Sequence, residues 1–126
     1  MKFTEHRPQG VTLISACDAQ SLTLAGHTWQ HSLILSPDTA PTAWPPQSFA
    51  ELTAGHFAAL LAYAPEVVLL GTGRTLHFPA PALYRCLIEA GIGVECMASR
   101  QAALTYNFLA TDGRRVLGAL LLGDEA

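Results

Sequence analysis

Four apolar residues, Val67 to Leu70, run into Gly71-Thr72-Gly73-Arg74, and a second short stretch, "GVECM", runs into Ala98-Ser99-Arg100. Two glycines let a backbone turn sharply and aim peptide N–H groups outward, an arrangement that holds phosphate and carboxylate groups. If both stretches are parallel strands, their carboxyl ends share the sheet edge where ligands of open α/β folds bind. Ser99 suits the capping position of the helix that follows. Gly71, Thr72, Gly73, Arg74, Ser99 and Arg100 would then combine backbone donors, a helix amino terminus and two guanidinium groups around a small anion. The competing reading is a glycine turn at the end of a buried strand, with two solvated arginines. The loop lacks the third glycine and immediate helix of a dinucleotide fingerprint, and it has no Gly-Lys-Ser/Thr of a P-loop.

Other reactive residue types form no constellation. Glu95 stands inside an otherwise apolar strand, so it must pair with an arginine or lie on an open face. Asn107 is a poor helix-interior residue and predicts a specific hydrogen bond to strand-end backbone. Cys96, next to a helix start, could have a lowered pKa, although a structural cysteine is the default. His6, His27, His31, His56 and His77 show no metal-ligand spacing. No Gly-x-Ser-x-Gly elbow is present. The sequence therefore gives no catalytic residue, no metal site and no cofactor.

Bulk properties narrow the class further. Half of the 126 residues are apolar and 13% are charged, which describes one globular domain with a real core. A net charge of −3 with only seven Lys plus Arg gives no footprint for nucleic acid. The apolar runs are too short to span a bilayer, so no membrane insertion is expected. The start, "MKFTEHRPQG", lacks a signal-peptide core, and Cys17, Cys86 and Cys96 are odd in number without CxxC spacing. Both point to a reducing cytoplasmic setting.

The elements that must position these residues follow from periodicity. "VTLISA" and "SLTLAG" flank Asp18-Ala19-Gln20 as a hairpin, and "TWQHSLILS" alternates Trp29, His31, Leu33 and Leu35 on one face of a strand. Residues 37–47, with four prolines, read as an ordered loop. A helix starts at Ser48 with Glu51 in a capping box, or at Thr53, which the weakening effect of Gly55 favours. It carries Phe57, Leu60, Leu61 and Ala64 inward and stops at Pro65. Residues 67–70, 94–97 and 115–121 are expected as neighbouring central strands. Between them lie a helix that starts on Pro81 and ends just before Gly91, burying Leu83, Tyr84, Leu87 and Ile88, and a helix capped by Ser99 and running through about Ala110. This alternation predicts a single α/β domain.

The blocks "PEVVLLGTGRTLHFP", "EAGIGVECM" and "SRQAALTYNFLATDGRRVLGALL" together resemble the Mth-type domain-of-unknown-function family, over about residues 11–122. The resemblance implies three layers around a central mixed sheet whose last strand is antiparallel to its neighbours. It implies no established activity, cofactor or metal. It also implies action by protein contact, as in a mitochondrial member that assists assembly of respiratory complex I. Gly71, Gly73, Glu95, Thr105, Tyr106 and Asn107 carry the family pattern without assigned roles. Ala98-Ser99-Arg100 departs from it, where an acidic residue followed by threonine is expected. The preferred function is thus a non-enzymatic interaction or assembly protein with an unidentified protein partner. The alternative is a binder of, or enzyme acting on, a small anionic ligand at residues 71–74 and 98–100.

Overall fold

The computed structural model describes residues 13–18 and 20–123. The first two residues of "VTLISA", the Ala19 of the expected hairpin connection and the amino-terminal decapeptide fall outside them. Eight strands and three α-helices follow in order: β1 Ile14–Cys17, β2 Leu22–Leu24, β3 His27–Trp29, β4 Leu33–Ser36, β5 Thr39–Ala43, α1 Ala54–Ala58, β6 Val67–Gly71, α2 Pro81–Glu89, β7 Gly93–Met97, α3 Ser99–Thr111 and β8 Val116–Leu120. Short 3-10 turns cover Phe49–Glu51 and Ala59–Tyr63. No helix among the described residues is long and apolar enough to cross a membrane.

A mixed sheet in the order β5-β4-β8-β6-β7 forms the middle layer, and β1-β2-β3 form a separate antiparallel sheet. Strand β6 runs parallel to both β7 and β8, and β8 runs antiparallel to β4. The expected antiparallel relation of the last strand therefore holds on its β4 side only. The three late strands are neighbours as expected, but β7 lies at the edge of the sheet, not in its centre.

Alternation along β6 and β8 sorts side chains into two cores. Leu69, Val116 and Leu120 meet Ala102, Ala103, Tyr106 and Ala110 of α3, together with Ile14, Leu22 and Leu24 of the small sheet. Val68, Leu70, Leu117, Ala119 and Leu121 meet Phe57, Leu60 and Leu87 from the α1 and α2 side. Strand β8 is buried at every residue, which explains its unbroken apolar run. Its one gap in bulk, Gly118, is filled from above. A Cβ there would stand 3.4 Å from Cδ1 of Tyr106, whose ring covers the strand.

Four local expectations change, while the favoured start of the helix at Thr53 holds. The alternation through Trp29 and Leu35 is not one strand: β3 and β4 belong to different sheets, because the chain leaves the hydrogen-bonding line at Gln30–Ser32. The proline-rich loop contains β5, and its Pro41 is tolerated because β5 is an edge strand. Thr53 is the cap of α1, with its hydroxyl accepting from the His56 N–H at 3.3 Å, and His56 supplies the reciprocal contact. Ser48 makes no side-chain cap. Helix α1 is also short, passing into the 3-10 turn, so Phe57 and Leu60 are buried while Leu61 and Ala64 are exposed. Helix α2 does begin on Pro81, and Gly91 follows its end at φ 80°, but Ile88 faces solvent.

Candidate functional site

The loop after β6 is an interlock between three chain segments. Gly71 closes β6, and its carbonyl accepts from the Leu121 N–H at 2.9 Å. A Cβ at Gly71 would meet Oγ of Ser99 at 2.8 Å, Cα of Ser99 at 3.0 Å and Cδ2 of Leu120 at 2.8 Å. The missing side chain is what lets α3 start so close to the strand. The Thr72 N–H donates to the Met97 carbonyl at 2.8 Å, and the Thr72 hydroxyl donates to the Thr75 carbonyl at 2.7 Å while accepting from the His77 N–H at 3.1 Å. Gly73 turns back at φ 98°. Its N–H donates to Oγ of Ser99 at 2.9 Å and its carbonyl accepts from the Ser99 N–H at 2.8 Å.

Ser99 is thus not the helix cap. That position belongs to Ala98, and Ser99 is the first residue of α3. Its hydroxyl is buried and donates to the Leu121 carbonyl at 2.6 Å while accepting from Gly73. The side chain leaves the helix terminus because two strand-end groups need a partner in a place water does not reach. The peptide N–H groups of Thr72 and Gly73 are spent on the fold itself.

The two arginines have different neighbours. Arg74 lines a hollow of about 360 Å³ with Ser48, Phe49, Ala50, Thr72, Thr75 and His77. The His77 ring lies 4.9 Å from that of Phe49, a residue packed into the α1 and α2 core. Arg100 is not among the residues of this hollow. Its charge instead acts on Cys17 of β1, on the α3 side of the sheet, where burial pushes the thiol up to about 11 against a smaller lowering effect of Arg100.

The remaining family-pattern residues have distinct places. Glu95 is exposed on β7 and has no ion pair among the described residues, so it takes the open-face option. Thr105 donates its hydroxyl to the Gln101 carbonyl at 3.0 Å, one helical turn back. Tyr106 is wholly buried, its hydroxyl has no hydrogen-bond partner among the described residues, and burial and then Asp38 raise its pKa. Asn107 clamps β1: Oδ1 accepts from the Ile14 N–H at 2.8 Å and Nδ2 donates to the Ile14 carbonyl at 2.6 Å. Cys96 departs from the lowered pKa considered for it, because burial, and then the Glu95 charge, raise it. No group of three or more His, Cys, Asp or Glu among the described residues is placed to hold a metal.

Two features carried no sequence signal. Ser32, fully buried, accepts from the Leu122 N–H at 3.2 Å and holds the residues just after β8 against the start of β4. A hollow of about 270 Å³ opens between the β4–β5 turn, Tyr63 and the start of β8, beside Arg114 and Arg115. One of its charges is already matched: Glu66 pairs with Nε of Arg114 at 3.2 Å, and its other oxygen accepts from the Arg115 backbone N–H at 2.9 Å.

Residues 14–121 match the profile of a family described as a protein of unknown function (DUF498/DUF598). The chain is 30% identical over 117 residues to NADH dehydrogenase (ubiquinone) 1 alpha subcomplex assembly factor 3 of Mus musculus. That match covers 91% of this chain and 62% of the mouse protein, so the chain spans less than two thirds of its length. A crystal structure of a protein from Bordetella parapertussis is similar at TM-score 0.84 and 35% identity, covering 91% of this chain and 98% of that one. A Bordetella pertussis protein described as a Mth938-like domain is similar at TM-score 0.82 and 31% identity, covering 99% and 95%.

Proposed function

The chain belongs to the DUF498/DUF598 family as a Mth-type domain, and we propose that it is a cytoplasmic, non-enzymatic interaction or assembly factor. One observation carries this reading. Phe108 is 74% exposed on α3, one turn from the exposed Leu104, and Phe78 is 75% exposed beside Leu76 in the loop before α2. Residues four apart share one helix face, so Leu104 and Phe108 form a contiguous apolar step on the outer layer. Aromatic and leucine side chains held in water on a rigid helix are what protein contacts use as anchors. The mouse relative, named as an assembly factor, supports the same class of activity.

The test is a double substitution, Leu104→Ser with Phe108→Ser, used as bait beside the unchanged protein in the native host. Thermal stability is expected to change little, since exposed positions contribute roughly 0.5 kcal/mol or less. Capture of the partner is expected to fall by 30-fold or more, the effect of losing an anchor worth about 2 kcal/mol. Equal capture by both baits would remove the α3 face from the argument.

A second reading, a binder of or enzyme acting on a small anionic ligand at residues 71–74 and 98–100, draws its support from the first segment alone, where Arg74 lines the hollow with Thr72, Thr75 and His77. Inorganic phosphate is then expected to shift the amide resonances of both segments together, and Arg74→Ala is expected to abolish the shift. Unmoved resonances up to tens of millimolar phosphate would discard it.

A further inference from the structure

We infer that the free edge of β7 is a docking site for an extended segment of a partner protein carrying the pattern apolar–basic–apolar, the basic side chain seated against Glu95. The inference rests on the interaction reading above and names the partner's chemistry.

The phase of the ladder fixes which groups are free. The Gly93 N–H donates to the Glu66 carbonyl at 3.1 Å, and the Met97 carbonyl accepts from the Thr72 N–H at 2.8 Å, both on the β6 side. In a parallel pair every second residue bonds to the same neighbour, so Gly93, Glu95 and Met97 face β6. Val94 and Cys96 therefore turn their N–H and carbonyl groups outward, where the described residues place no strand. A row of unpaired donors and acceptors at strand spacing is matched by another extended backbone.

The two edges of this sheet are treated differently. Strand β5 is blunted by Pro41 in its middle. Strand β7 contains no proline and no lysine, and its single charge is Glu95. That carboxylate is exposed and unpaired among the described residues.

Side-chain alternation sets the partner's pattern. Val94 and Cys96 are half-buried on the α2 face, packed against that core, and they leave an apolar step at the edge. Glu95 points to the opposite face. A strand beside β7 would thus present apolar residues next to Val94 and Cys96 and, between them, a Lys or Arg within cross-strand reach of Glu95. A second copy of the chain fits less well. The antiparallel register that uses both Val94 and Cys96 is centred on Glu95 and sets the two carboxylates opposite each other, and each chain carries a net charge of −3.

The probe is a blocked peptide, Thr-Val-Lys-Val-Lys-Val-Thr, titrated into the isotopically labelled protein. The amides of Val94 and Cys96 are expected to shift most and to gain protection from exchange, while those of β8 stay unchanged. Val94→Pro removes one outward N–H on an edge strand and is expected to abolish binding at an unaltered fold. Glu95→Lys is expected to weaken the lysine peptide about tenfold and to favour its glutamate counterpart, the result of turning a cross-strand attraction into repulsion. Absence of shifts at millimolar peptide, shifts centred away from β7, or binding indifferent to both substitutions would overturn the inference. Dimerisation of the unmodified protein that Val94→Pro abolishes would overturn it too, by naming a second copy as the occupant. Each outcome is separate from the Leu104 and Phe108 test, which can succeed or fail alone.

Discussion

Asn107→Leu is expected to destabilise the protein by roughly 2–6 kcal/mol, because it leaves two buried backbone groups of Ile14 unpaired at about 1–3 kcal/mol each. The carboxamide acts here as a piece of strand. It offers one acceptor and one donor to the N–H and carbonyl of Ile14, at 2.8 and 2.6 Å, as a neighbouring peptide would. It does so where β1 has a register shift against β2, between Ile14 and Ala16. Leucine keeps the branched four-atom skeleton and is bulkier, not smaller, so the substitution removes the hydrogen bonds without opening a cavity. At about 4 °C per kcal/mol for a chain of this size, the melting temperature should fall by roughly 8–24 °C. The local sign is a loss of exchange protection at the Ile14 amide that exceeds the loss in β8. A variant melting within about 2 °C of the parent would show that the clamp contributes nothing net.

Asn107 also marks how far the sequence could be read. Its poor helix propensity announced a specific contact, but the partner lies 93 residues away and no local pattern points there. The stretches legible in advance were those whose chemistry is local: the β-branched run of β6, Pro81 and Gly91 around α2, and the apolar run of β8. Local pattern does not decide the stretches where tertiary placement does. Alternation through "TWQHSLILS" is the same whether its two halves share a sheet or not. Pro41 argues against a strand unless the strand is known to be at an edge. Ser99 has the right type for a cap, yet the unpaired strand-end groups of Gly73 and Leu121 outcompete the helix terminus for its hydroxyl. Among the candidate site residues, Gly73 and Ser99 meet in space. The sequence did not foresee that their bonds would be to each other.

That mutual bonding makes Gly71 the position of least tolerance in the loop. Gly71→Ala adds one carbon 3.0 Å from Cα of Ser99, a backbone atom that cannot rotate away, and 2.8 Å from Oγ of Ser99 and Cδ2 of Leu120. Leu120 can yield by changing rotamer; α3 must shift as a body. Overpacking of this kind costs about 1–3 kcal/mol, and Gly71→Val is expected to exceed that range. Gly73→Val fails for a different reason, since φ 98° is strained for a β-branched residue whatever the space. Ser99→Ala separates clash from hydrogen bonding. Alone it strands the buried Gly73 N–H and Leu121 carbonyl, a loss of roughly 2 kcal/mol or more. Combined with Gly71→Ala it also removes the hydroxyl the new methyl collides with, so the double variant should be less destabilised than the sum of the single ones. Denaturant unfolding of the four proteins measures that difference, expected at about 0.5–3 kcal/mol for residues in direct contact. Strict additivity would mean that the clash at Gly71 falls on the Ser99 backbone and Leu120, and not on the Ser99 hydroxyl.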